Sequence, residues 1–102
     1  MISIDEAYSI IQSINENAHQ QSWDTWRTAD LLMESDEEED WETAEELRED
    51  ASLEQATYFR EEFDELDDET KEAILHYVDT DTGFKEEFVV WYGEDEFNAD
   101  FN

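Results

Sequence analysis

Apolar residues recur every three or four positions through most of the chain. Ile4, Ala7, Tyr8, Ile11, Ile14 and Ala18 fall on one helical stripe, and Ser3 with Glu6 three residues later supplies a capping box at its start. Ser22 introduces a second stripe of Trp23, Trp26, Ala29, Leu32 and Met33. Ser35 or Asp36 opens a third helix with Trp41, Ala44, Leu47 and Ala51 on its apolar side. Ser52 with Gln55 opens a fourth, edged by Leu53, Ala56, Phe59, Phe63 and Leu66. Asp67 or Asp68 caps a fifth, with Ala73, Ile74, Tyr77 and Val78 inward.

Asp79 to Gly83 then reads as a turn. Phe84, Phe88, Trp91 and Tyr92 stand at helical offsets before Gly93, which suits a helix C-terminus. The same run is rich in β-formers, which leaves a short strand near residues 87–92 open. In the tail, 94–102, Phe97 and Phe101 are four apart, which predicts docking on the body or on a second copy in a homodimer. The expected architecture is mostly α: five or six short helices in a single domain, 1–102, with no Pro and only two Gly to divide it.

Composition changes this picture in one respect. Thirty-three Asp and Glu oppose five Lys and Arg, a formal charge of −28 on 102 residues. Such a charge usually accompanies disorder, but four Trp, four Tyr and six Phe are residues that disordered chains lack, and they predict a small aromatic core. Five cations cannot neutralise a phosphate backbone, so direct nucleic-acid binding is excluded, and anionic membranes with it. Absent cysteine removes disulfides, thiolate catalysis and cysteine metal sites. The N-terminus has no basic segment followed by an apolar run, so the expectation is a cytoplasmic protein, in the host cytoplasm if phage-borne.

Candidate chemistry is thin. With carboxylates this dense, any two fall close by chance, and His19 and His76 have neither a cysteine nor each other nearby in sequence. Both read as helix-end or core-edge residues. Asp79-x-Asp81 opens like a calcium loop, but the register puts Phe84 where glycine belongs and Val90 where the bidentate Glu belongs. No enzyme, cofactor or metal is expected.

The acids concentrate between Glu34 and Glu72, where 20 face only Arg48, Arg60 and Lys71. The candidate partner-binding residues are Glu34, Asp36, Glu37, Glu38, Glu39, Asp40, Glu42, Glu45, Glu46, Glu49, Asp50, Glu61, Glu62, Asp64, Glu65, Asp67, Asp68 and Glu69. Among them Glu38, Glu42, Glu45 and Glu49 make a ridge at spacings of about 5–6 Å, comparable to successive phosphates. Like-charge neighbours of this kind destabilise a helix, which argues that their field has a use. Twenty-eight charges equal those of about 14 base pairs, roughly 48 Å of duplex, longer than a compact domain of this size, so an elongated fold or a partial mimic is expected.

In size, helical character, charge and lack of cysteine the whole chain resembles the acidic DNA-mimic proteins of phages and mobile elements, the anti-restriction and anti-defence proteins of the Ocr, ArdA and Arn type. The resemblance implies a stoichiometric inhibitor whose carboxylates stand in for phosphates. Its partner would be a basic DNA-binding protein of the host, a restriction enzyme, CRISPR effector or other defence nuclease, occupied in its DNA channel. Selectivity would then need shape and an exposed aromatic such as Trp41, although core packing is the simpler expectation for that residue. Two other classes share the acidic surface: a dedicated inhibitor or chaperone of one basic protein, and a halophile protein kept hydrated by its acids.

Overall fold

A computed structural model describes residues 1–101, and among them six helices and no strand. They are α1 (Ile4–Gln21), α2 (Trp23–Met33), α3 (Glu38–Glu65), α4 (Asp68–Thr80), α5 (Thr82–Tyr92) and α6 (Glu94–Phe101). Ser3 caps α1, its hydroxyl accepting the amide of Glu6 at 3.2 Å. Ser22 is the single residue between α1 and α2. It is fully buried, and its hydroxyl donates back to the carbonyl of Ala18 at 2.9 Å, so the chain bends there without a loop.

The third and fourth predicted helices are one. α3 has 28 residues, about 42 Å at 1.5 Å per residue. Ser52 lies exposed on its surface and caps nothing. The misreading has a physical cause, because the buried face of α3 rotates along its length. Ala44, Leu47 and Ala51 face α2 in the first half, whereas Ala56, Phe59 and Phe63 lie roughly a third of a turn further round. There α1 and α5 become the neighbours of α3. A change of partner on a continuous helix gives the same apolar pattern as two helices.

Two unlike ends result. α2 and the first half of α3 form a slender two-helix arm, whose seam is built from the fully buried Ala29, Ala44 and Ala51. The remaining helices enclose an aromatic core of Phe59, Phe63, Phe84, Phe88, Tyr92 and Phe97, with Ile11, Ile14, Ile74 and Val78. Phe88 meets Phe63 edge-on at 5.4 Å and Phe59 at 5.8 Å between ring centres. The Tyr77 hydroxyl donates to the carbonyl of Ile2 at 2.7 Å, tying the N-terminal segment to α4.

The run near residues 87–92 is helix, not strand. Phe84, Phe88 and Tyr92, four apart, all enter the core, and that periodicity prevails over local β-propensity. The predicted turn at 79–83 shrinks to Asp81, whose carboxylate caps α5 by accepting the Phe84 amide at 2.9 Å. Gly93 ends α5 with φ of 100°, a conformation costly for any other residue, and the Tyr92 carbonyl just before it accepts from Arg60 at 2.6 Å. α6 lies against this junction through Phe97 and Phe101, which contact Phe88 and Tyr92. The whole measures 52 × 24 × 20 Å, with a radius of gyration of 15.8 Å, where a compact chain of this length would have about 13 Å.

Candidate partner-binding face

A rod of about 42 Å fits such a body only along its long axis, so α3 defines that axis. Glu38, Glu42, Glu45 and Glu49 fall within about 60° of one another round the helix and are all exposed, forming a ridge of about 16 Å. Beside it runs a second line, Glu39, Glu46, Asp50, Glu61 and Asp64, also exposed and about 37 Å long. Glu34, Asp36 and Glu37 occupy the connection from α2 to α3, at one extreme of the molecule. Glu65 is the last residue of α3, and Asp67, Asp68 and Glu69 lie just past that end. The acid-dense segment is thus strung along the axis and is not gathered in a patch.

Three of the named acids have structural duties. Asp40 is half-buried and accepts the Ser35 hydroxyl at 2.7 Å, closing the α2–α3 connection. Glu62, also half-buried, lies 3.4 Å from the Gln21 amide nitrogen that donates to it. Asp67 caps α4, and the hydrogen bonds that it accepts from the Thr70 side chain and the Thr70 amide, the latter at 2.8 Å, hold its carboxyl below the usual Asp range. The other fifteen project into solvent.

The ridge continues where the sequence pattern did not point. One turn beyond Glu49 stands Leu53, 68% exposed, and it lines a cleft of about 430 Å³ with Arg60, Gly93 and the first turn of α6. Glu94, Asp95 and Glu96 therefore extend the acid line across the α3–α6 boundary. No local signal could place them there, because the positive-φ turn at Gly93 and the docking of Phe97 are what bring that turn against α3.

Trp41, expected in the core, is 45% exposed. Its position in the first turns of α3 lies aside from the alanine seam, and its indole N–H donates to the carbonyl of Ser35 at 2.6 Å. On the facing helix Trp23 is also half out, with the Arg27 guanidinium 5.1 Å above its ring. The two histidines are helix residues at the surface: His19 Nδ1 lies 3.3 Å from Gln55 Oε1, and His76 packs edge-on to Tyr77. Between arm and body Gln55 gathers three helices. Its carbonyl accepts the Trp26 indole N–H at 3.0 Å, and its amide donates to Asn15 Oδ1 at 3.0 Å.

Charge and shape combine quantitatively. The 28 net charges over 52 Å amount to one per about 1.9 Å of axis, against one per about 1.7 Å for duplex DNA. Over the accessible surface of 6816 Å² the same charges are sparser, one per about 240 Å², where a smooth DNA cylinder of about 10 Å radius gives one per about 107 Å². The two measures differ because accessible area counts every crevice between side chains. Charge per unit length is therefore close to that of a duplex, and charge per unit area is lower. The cross-section of 24 × 20 Å is also that of a duplex about 20 Å wide. No helix is long and apolar enough to cross a membrane. Comparison with protein-family models, with curated proteins and with solved structures gave no match.

Proposed function

We propose that this protein is a DNA-mimic inhibitor that occupies the basic DNA-binding channel of a host defence protein. The observation that carries this reading is the axial charge spacing of about 1.9 Å on a rod of duplex width. Lys and Arg that normally grip phosphates meet exposed carboxylates of α3 at comparable intervals. Counterions are released from both surfaces, which drives association, and the field of the rod accelerates encounter. At about 3.4 Å per base pair, 52 Å corresponds to about 15 base pairs, so the footprint is that of a short operator or recognition site.

The test is competitive. The protein is immobilised, host lysate is applied at moderate salt, and a duplex of 15 base pairs is added. DNA-binding proteins released by the duplex support the reading, and captured proteins that duplex cannot displace defeat it. Changing Glu38, Glu42, Glu45 and Glu49 to Lys moves the net charge from −28 to −20 and is expected to abolish most capture while far-UV circular dichroism stays unchanged. Capture that survives this change removes the α3 ridge from the contact.

A further inference from the structure

We infer that Trp41, with the carboxylates one helical turn to either side, is a receptor for an arginine side chain of the basic partner. This rests on the reading of α3 as the face that docks on such a partner, and it adds what the acids alone do not supply, a preference between the two cationic side chains. Trp41 is 45% exposed and so presents an aromatic surface that a partner side chain can cover on binding. It is held firmly nonetheless. The N–H of Trp41 donates to the Ser35 carbonyl at 2.6 Å, the Ser35 hydroxyl donates to Asp40 at 2.7 Å, and the Glu37 amide donates to the same hydroxyl at 3.2 Å. A ring fixed in this way loses little side-chain freedom when a ligand settles on its face.

The surroundings select a cation. Glu38 and Glu45, three residues before and four after, are the helix-surface neighbours of Trp41, and both are exposed. A base could stack on indole as well, but the acidic field repels its phosphate. Lysine holds its hydration tightly, whereas the planar guanidinium is weakly hydrated, stacks on aromatic faces and offers paired donors to a carboxylate. The arm already makes this pairing internally, with Arg27 over Trp23 at 5.1 Å. Among the described residues no Lys or Arg stands over Trp41, so the equivalent face there is open to a partner. A phosphate has no face on which an arginine can stack. Trp41 therefore gives the contact a component that the DNA backbone does not offer, with a different demand on the partner.

Hexa-arginine and hexa-lysine, equal in charge, separate this contribution from the general field. Each is titrated into the full chain by calorimetry at one fixed salt concentration. Trp41→Leu is expected to weaken hexa-arginine about 5- to 30-fold, the range for a partly to fully desolvated cation–π contact. Hexa-lysine should change less than twofold. Trp41→Phe, which keeps an aromatic face without the N–H, should restore most of the arginine preference, and it guards against a simple folding defect. Equal losses for both peptides, or no loss for either, overturn the arginine site. If the four-Glu reversal then still weakens both peptides, the acid face stands without it; if neither peptide binds the parent protein, the docking reading falls as well.

Discussion

Replacing Gln55 by Ala tests whether the arm and the body are joined as the geometry indicates. The substitution leaves the Trp26 indole N–H and Asn15 Oδ1 without the partners they hold at 3.0 Å each. A stranded buried donor or acceptor costs about 1–3 kcal/mol, and both groups here are half-buried, so the low end applies to each. The expected loss is about 2 kcal/mol. For a domain near 100 residues, where 1 kcal/mol moves Tm by about 4–8 °C, the melt should fall by about 8–16 °C. Thermal denaturation followed by circular dichroism measures it directly. A double-mutant cycle with Trp26→Phe assigns the energy: the doubly substituted protein should be less destabilised than the sum of the singles by about 0.5–1.5 kcal/mol. A Gln55→Ala protein that melts within 2 °C of the parent, or a cycle with no coupling, would refute the idea that this side chain fastens α1 and α2 to α3.

Two further substitutions examine the body. Gly93→Ala should lower the melting temperature by several degrees, since φ of 100° costs a side-chain-bearing residue about 1–3 kcal/mol and the new Cβ would lie 3.1 Å from the Arg60 guanidinium; an unchanged Tm would show that the junction relaxes freely. Asp67→Ala should destabilise the protein at neutral pH through loss of the α4 cap. Because hydrogen bonds from Thr70 depress the folded pKa of Asp67, its ionised form stabilises the fold above the ordinary Asp range, and that contribution fades as pH falls through the lowered value. The Tm gap between parent and variant should therefore narrow below about pH 4, and a gap that widens in acid would contradict the assignment.

Periodicity revealed α1, α2, α4 and the inward residues of α5, because each keeps one face toward one set of neighbours. It misread α3, where the neighbours change halfway and the apolar stripe moves round the helix. That error also concealed the main feature of the candidate face, since two short helices would not align Glu39 with Asp64. The identity of the acids was plain from the sequence, but their order in space depended on α3 being continuous. Glu94 to Glu96 reach the ridge through Gly93 and the aromatic packing of Phe97, which are tertiary effects. Trp41 was expected inside because aromatics usually are. Its exposure follows from its place round α3, about 60–80° aside from the line of Ala44 and Ala51 that is buried against α2.

The alanine seam has a dynamic consequence. Ala29, Ala44 and Ala51 bury little apolar area compared with the rings at the other end, so the arm opens locally at low cost while the body remains closed. Amides of α2 and the first half of α3 should exchange with deuterium well before those of α5. The molecule thus joins a compliant arm to a rigid body: the arm can change its width and twist while the aromatic end preserves the fold.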